Sequence, residues 1–167
     1  MRGKNGGADM GAAQSDGTKG EIEGGWNRVF PGYTPTQLFA LVSGVESYPR
    51  FIPGCVAARV VERNGDQWLV DNVFHVGPIR SRFKSFARLE PPHRLSISAE
   101  DGPWKMFRLV WTLDPDGDGC RVSCDFSVSF SSRAVAAVAR LGVGEMDRRI
   151  IASFEKQALT LYGPQSR

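Results

Sequence analysis

The most reactive side chains in this sequence are two histidines and three cysteines. A histidine beside a cysteine or serine would indicate a nucleophilic site, and a cluster of histidine, cysteine and acidic residues could hold a metal ion. His93 follows two prolines in a turn, and His75 falls on the strand face opposite Phe74, so both are expected to face solvent. No catalytic triad, metal-ligand spacing or phosphate-binding glycine loop is visible. We therefore expect no metal and no cofactor, and a binding protein rather than an enzyme.

The three cysteines, Cys55, Cys120 and Cys124, are expected to be free thiols. Cys120 and Cys124 stand on one predicted strand, where the usual rise per residue separates them by about 13 Å. A disulfide requires Cα atoms within about 7 Å, so these two cannot be joined. The odd number of cysteines, and an N-terminal segment without the apolar stretch of a secretion signal, favour reduced thiols in the cytoplasm.

Alternation of apolar and polar side chains predicts that most of the chain is antiparallel sheet. In the clearest case, every second residue from Cys120 to Phe130 is apolar, and serine, aspartate or arginine stands between them. Such a strand has one buried and one solvated face. Seven strands are predicted, at 23–30, 56–63, 67–76, 79–90, 94–100, 105–114 and 119–130, and turn residues such as those of 114–119 separate them.

Two segments are predicted to be helices. The first covers 34–47, with Thr34 as N-cap and Pro35 at the first helical position. The second covers 132–162, contains no proline and begins at the capping residue Ser132. Its apolar stripe consists of Val135, Ala139, Val143, Met146, Ile150, Phe154, Ala158 and Leu161. A sheet with one apolar face is expected to curl around this helix, which predicts an α+β fold.

Residues 1–20 differ in composition from the rest of the chain. Their content of Gly, Ser, Asp and Lys predicts a disordered tail. Residues 21–163 are predicted to form a single domain, because no internal repeat or second periodic block follows. No apolar run approaches the ~20 residues of a membrane span, and a net charge of +3 permits an anionic partner without requiring one.

Three segments carry a family resemblance: ALVSGVESYPRFIPGC at 40–55, DGPWKMFRLVWTLDPDGDGCRVSCDFSVSF at 101–130 and IIASFEKQALTLYG at 150–163. As an ordered set they resemble the coenzyme Q-binding, polyketide cyclase-like family of the START-type helix-grip superfamily. The resemblance implies a curved antiparallel sheet of about seven strands around the long C-terminal helix, with one or two short helices after the first strand and a hydrophobic cavity inside. The family usually has tryptophan where this chain has Gly54.

The resemblance also implies the function. Lipid-chaperone members of the family bind ubiquinone and support respiration, and related bacterial members are toxins that block ribosomal subunit association. We expect the first role: binding of a hydrophobic small molecule, ubiquinone, by a cytoplasmic protein that can associate with the inner membrane face. Inhibition of translation at the ribosome and polyketide cyclisation or dehydration stay open as alternatives.

Candidate ligand contacts come from a proline-interrupted segment, 45–55, and from aromatic residues of the sheet and helix. Prolines keep that segment out of regular structure, so its large apolar side chains either rim a cavity or cap the core. Asn72, polar on an apolar strand face, either meets a ligand carbonyl or is satisfied by the protein. The expected ligand contacts, each of which could also be plain core, are Tyr48, Phe51, Ile52, Asn72, Phe74, Trp104, Phe107, Trp111, Phe126, Met146, Ile150 and Phe154.

One predicted strand face is strongly basic. It carries Arg80, Arg82, Lys84 and Arg88, and Phe86 is the aromatic residue among them. A solvated sheet surface accounts for such a face without any partner. As a binding surface, it suits anionic lipid headgroups and ribosomal RNA equally well, so both a membrane and the ribosome stay open as partners.

Overall fold

The computed structural model describes residues 21–76 and 78–165, so the tail predicted for 1–20 lies outside it. The elements are β1 (Glu21–Phe30), α1 (Pro35–Ser43), a 3₁₀ helix (Val45–Arg50), β2 (Cys55–Asn64), β3 (Gln67–Val76), β4 (Ile79–Glu90), β5 (Arg94–Ala99), β6 (Trp104–Asp116), β7 (Gly119–Phe130) and α2 (Arg133–Tyr162). The seven strands form one sheet in the order β1-β7-β6-β5-β4-β3-β2. The predicted fold, a curved antiparallel sheet around a long C-terminal helix, is confirmed, and the predicted strand ends differ by no more than two residues.

The first helix begins as predicted and ends early. The Gln37 backbone N–H donates to the Thr34 hydroxyl at 3.2 Å, and the Thr34 N–H donates to the Gln37 side chain at 2.9 Å, which is a capping box. The prediction of one helix over 34–47 was wrong at its C-terminal end, because α1 stops before Gly44 and the 3₁₀ helix follows. Gly44 is unfavourable inside a helix, and Pro49 lacks the N–H that a continued α-helical ladder would need.

The predicted stripe of α2 is correct at Phe154 and Ala158 but not along its whole length. Ile151, Phe154 and Ala158 are buried, whereas Leu161, assigned to the stripe, is 55% exposed, and the Val143 side chain lies outside the described part. Repeated four-residue steps drift around a helix of about 3.6 residues per turn, whereas alternating steps of three and four keep one face. α2 packs on α1, β1 and β7. The sheet face toward α2 is called the inner face below, and the opposite one the outer face.

The hairpin between β6 and β7 has a shorter turn than predicted. The chain stays extended through Asp116, and Gly117 and Asp118 alone form the turn. Gly117 has a φ of +60°, as the first central residue of a tight two-residue hairpin requires. The prediction of a turn over 114–119 was therefore too broad. Neither α1 nor α2, the helices of the described residues, combines the length and the apolar content that crossing a bilayer would need.

The three cysteines are free and buried. Burial raises the pKa of the Cys55 and Cys120 thiols to about 11. The pKa of Cys124 is raised further, by burial first and then by the nearby carboxylate of Asp147. All three thiols are therefore neutral near neutral pH and poorly reactive in the folded protein, because the thiolate is the nucleophile.

We predict that a chromogenic disulfide reagent reacts very slowly with the native protein at pH 8. After unfolding in denaturant without any reductant, all three thiols should react. Recovery of one thiol would mean that two cysteines are joined, contrary to the spacing of Cys120 and Cys124 along one strand.

Candidate functional site

One part of the inner face is filled by packed aromatic rings. Trp111 of β6 and Phe154 of α2 are both buried, with ring centres 4.9 Å apart. Trp26 of β1 meets Trp111 edge-on at 5.5 Å. Tyr48 and Phe51 lie against Phe154 at 6.1 and 5.4 Å. We call these five residues the closed cluster, because successive edge-to-face contacts leave it densely packed.

The proline-interrupted segment supplies part of the closed cluster. The hydroxyl of Tyr48 donates to the backbone carbonyl of Val42, and burial raises the tyrosine pKa well above its usual range. Ile52 is buried in the same core. Gly54 has a φ of +82°, a conformation that a side chain disfavours, so the tryptophan usual in the family would be strained at this position.

A second set of rings crosses the inner face from β3 to β7. Phe74 stacks on Phe83 at 6.0 Å, and Trp104 meets Phe83 at 5.5 Å. Trp104 also contacts Phe107 at 4.9 Å and Phe130 at 4.8 Å. Phe83 is 5% exposed, whereas the other four rings keep part of their surface accessible. We call these five residues the aromatic wall.

Four of the five rings of the aromatic wall keep part of their surface accessible. The helix α2 packs on α1, β1 and β7 and also meets Trp111 of β6, whereas Phe74 and Phe83 belong to β3 and β4. Concave apolar surfaces of this kind are the usual lining of small-molecule sites. The aromatic wall is therefore a candidate surface for a hydrophobic ligand.

The residues predicted as ligand contacts divide between these surfaces. In or against the closed cluster lie Tyr48, Phe51, Ile52, Trp111 and Phe154. The wall contains Phe74, Trp104 and Phe107. Of the other apolar residues, Phe126 lies on β7, and Met146 and Ile150 are half-buried on α2. Phe126 stands opposite Gly24, where any Cβ would collide with its ring. Phe130 also belongs to the wall, as an aromatic residue of the inner face of β7. Phe83 completes the wall without having been predicted as a ligand contact, and its place in the alternation of β4 is the signal that could have found it.

The buried side chain of Asn72 has its N–H groups engaged by the protein. Its Nδ2 lies 3.1 Å from the Val70 carbonyl, 3.4 Å from the Phe83 carbonyl and 3.0 Å from the Ser85 hydroxyl. Because an amide has two N–H groups, these acceptors account for both. The indole of Trp104 differs, since its Nε1 is buried without a hydrogen-bond partner among the described residues.

The site also contains a carboxylate that the sequence analysis missed. Asp147 stands on α2 four residues before Ile151 and seven before Phe154, which places it on the buried face of the helix. It lies close enough to the Cys124 thiol of β7 to raise the pKa of that thiol. Burial raises the pKa of Asp147 itself to about 6. Its spacing from Ile151 and Phe154 was the signal, and the predicted stripe concealed it because it ran through Met146 and Ile150 in this part of the helix.

The outer face carries the predicted basic residues of β4, all exposed: Arg80, Arg82, Lys84 and Arg88. Arg82 donates two hydrogen bonds to the Asp71 carboxylate and thereby holds the pKa of Asp71 below its usual range. Arg88 lies 4.0 Å from Asp66. These pairs are exposed, so they contribute little to stability and leave the arginines available to a partner.

A groove of about 470 Å³ lies on this outer face. Its outward side chains include Phe86, Arg88, Arg94, Ser96, Ser98 and Arg108. Phe86 is 64% exposed, an unusual position for a large apolar ring. Arg108 forms no ion pair within the part of the chain that the structure describes. We call this surface the outer basic groove.

The histidines lie away from the aromatic wall. His75 is exposed on the outer face of β3, opposite Arg80 in the strand pairing. His93 is exposed in a turn, where its Nδ1 lies 2.9 Å from the Leu113 carbonyl. Within residues 21–76 and 78–165, no three His, Cys, Asp or Glu side chains gather to form a metal site.

A curved sheet that holds a long helix against a partly accessible apolar face defines the helix-grip class of proteins. Residues 31–155 match the family described as "Polyketide cyclase / dehydrase and lipid transport". The chain therefore belongs to this family, and the family membership expected from the sequence is confirmed.

Three similar proteins illustrate the range of the family. The ribosome association toxin RatA of Vibrio cholerae is 27% identical over 132 residues, which cover 78% of this chain and 92% of RatA. The mitochondrial coenzyme Q-binding protein COQ10 homolog B of Xenopus laevis is 27% identical over 141 residues, 80% of this chain and 57% of that protein. The solution structure of the 18 kDa protein CC1736 from Caulobacter crescentus is 31% identical, with a TM-score of 0.66, and the match covers 85% of this chain and 99% of CC1736.

We predict that Asp147 makes stability depend on pH. The folded protein keeps this carboxyl protonated up to about pH 6, whereas the unfolded chain ionises it near pH 4. Stability should therefore fall as pH rises from about 4 to about 6 and stay level above. Asp147→Asn should remove this pH-dependent loss of stability and should raise the unfolding free energy at pH 7 by about 1 kcal/mol. This value is smaller than the full pKa shift implies, because the Asp147 side chain is only partly buried.

Urea denaturation of both proteins between pH 4 and pH 7 measures this effect. The informative quantity is the difference in unfolding free energy between the two proteins at each pH, because other titrating groups contribute equally to both. A difference that stays constant over this range would contradict the assignment.

Proposed function

We propose that this protein binds ubiquinone on the aromatic wall and acts as a non-enzymatic lipid chaperone that supports respiration. The observation that carries the proposal is the wall itself, with Phe74, Trp104, Phe107 and Phe130 on the inner face yet partly accessible. A quinone ring suits stacking on such side chains. An isoprenoid tail adds about 0.8 kcal/mol for each buried CH₂, so a few isoprene units offset the cost of association.

The relatives support the same ligand class. The family description includes lipid transport, and one relative is named as a coenzyme Q-binding protein. The exposed arginines of β4 would bring the protein to an anionic membrane surface, where such a lipid resides. We place the protein in the cytoplasm, with transient contact at the inner membrane face. We do not extend the proposal to polyketide cyclisation, because neither histidine faces the wall.

We predict that ubiquinone co-purifies with the protein from a host that makes it. Organic extraction of natively purified protein, with ultraviolet and mass detection, should recover the quinone. Phe107→Ala removes one ring of the wall and should lower quinone occupancy at least about tenfold.

The matched control is Phe86→Ala, which removes the same ring from the exposed outer face and should leave occupancy unchanged. Denaturation midpoints of both variants exclude unfolding as the cause. Absence of quinone from the extract, together with no binding of added decylubiquinone by the unmodified protein, would refute the proposal.

The outer basic groove supports a second candidate function, association with the ribosome. It combines the exposed ring of Phe86 with Arg88, Arg94 and Arg108, and stacking plus phosphate contact is how proteins bind unpaired RNA. The relative named as a ribosome association toxin matches over 92% of its own length. This function would use the outer face and leave the wall unused.

We predict for this candidate that the protein shifts intact ribosomes toward free subunits on a sucrose gradient. The double change Arg88→Glu and Arg108→Glu should abolish the shift, because it reverses two charges that face the groove. Arg133→Glu, at the exposed start of α2, is the matched control and should have no effect. Phe107→Ala should also shift ribosomes toward free subunits, as the unmodified protein does. If Phe107→Ala loses this shift while the double charge reversal keeps it, the outer groove is not the binding surface.

A further inference from the structure

The indole N–H of Trp104 is a buried hydrogen-bond donor without an acceptor among the described residues. Removing such a group from water without a partner is unfavourable, so folded proteins rarely leave one unpaired. The nearby Asn72 shows the usual arrangement, since its amide donates to protein oxygens at 3.0 and 3.1 Å. An unpaired donor on the aromatic wall therefore calls for an acceptor from outside the chain.

A β-bulge in β6 directs this donor to the inner face. Along a regular strand, Trp104 and Phe107 would point to opposite faces, because side chains alternate. A register shift between Trp104 and Met106, against Phe130 and Ser129 of β7, inserts an extra residue. Bulges of this kind re-aim side chains, and this one places the indole on the inner face with Phe107.

The surroundings of the indole hold it in place. Its ring centre lies 4.8 Å from that of Phe130, 4.9 Å from Phe107 and 5.5 Å from Phe83. All three neighbours are apolar rings, so the donor is positioned by packing before any ligand arrives. Such a preorganised donor is ready to orient a ligand at little further entropic cost.

We propose that Trp104 Nε1 donates a hydrogen bond to a neutral oxygen of the ligand bound on the aromatic wall. The inference rests on the proposed function and narrows its ligand class to a planar ring bearing a carbonyl, with an apolar tail. The oxygen is neutral because a carboxylate among three phenylalanines would be a buried charge in apolar surroundings. A quinone carbonyl meets this requirement, and an ionised fatty acid does not.

The donor also provides selectivity. A ligand of equal apolar surface without an oxygen acceptor leaves the indole N–H unpaired in the complex, whereas a carbonyl satisfies it. Sites built on a buried polar group discriminate in this way against analogues that lack its partner. Trp104 is thus the residue that distinguishes a quinone from a plain hydrocarbon.

The test is Trp104→Phe, which keeps an aromatic ring and removes the N–H. Equilibrium partition from phosphatidylcholine vesicles, quantified by mass detection, measures the binding of decylubiquinone and of decylbenzene, which has the same tail and no oxygen. We expect about a five- to tenfold loss of decylubiquinone affinity, and unchanged affinity for decylbenzene. Trp68 lies at the other end of β3 from Phe74, where the Arg63 guanidinium covers its ring at 4.8 Å. Trp68→Phe makes the same exchange outside the wall and should leave both affinities unchanged.

The melting temperature of the ligand-free protein is an independent measurement. Because Trp104→Phe removes an unpaired donor, it should leave the melting temperature equal to or above that of Trp68→Phe. A markedly lower value would mean that the N–H has a partner in the protein, and would overturn the inference. Equal weakening of both ligands, or of neither, would overturn it as well. If the unmodified protein binds neither ligand, the proposed function fails, and the inference fails with it.

Discussion

The structure depends on a mismatch in size between one helix and one sheet. Seven strands spaced about 4.8 Å apart are about 29 Å wide, whereas a helix with its side chains is about 10 Å across. A single long helix therefore cannot cover the whole apolar face, even when the sheet curves around it. α2 packs on α1 and on β1 and β7, and the 3₁₀ helix and its flank supply rings that close the core against Phe154. On the inner face, most residues of β3, β4 and β6 are buried, and the rings of Phe74, Trp104, Phe107 and Phe130 keep part of their surface accessible.

The two aromatic groups follow from that mismatch. Where the helix reaches the sheet, rings from four parts of the chain meet edge to face and exclude solvent, as Trp26, Trp111 and Phe154 do. In the aromatic wall, four rings of the same type remain partly accessible. Partly accessible apolar rings are a usual lining of small-molecule sites, whereas the buried rings of the closed cluster contribute stability. The two groups of rings differ in how much of their surface other residues cover, and not in residue type.

The sheet also separates two possible functions physically. Period-two alternation places every side chain of a strand on one face or the other, so β4 presents Phe83 to the interior and Phe86 to solvent. An aromatic surface inside and a basic, aromatic groove outside can therefore change independently within one family. This independence is consistent with relatives named for coenzyme Q binding and for ribosome association at the same 27% identity to this chain.

Local sequence patterns determined most of the secondary structure of this protein and the faces of its strands. The alternation from Cys120 to Phe130 is a property of consecutive residues, so the strands, their inner faces and the basic outer face of β4 could be predicted. The cap at Thr34 was predictable for the same reason, since it involves residues three apart. The ordered segments were also sufficient to identify the family.

The features that make a site were decided by the tertiary structure. The bulge that turns Trp104 inward exists only in the pairing of β6 with β7, and no spacing within β6 reveals it. Two of the three partners of Asn72 come from β4, and the place of Asp147 depends on which side of α2 meets the sheet. Periodicity specifies the direction of a side chain relative to its own element. Which groups it meets is set by contacts between residues distant in the chain, and so only the folded structure separates the packed rings from the accessible ones.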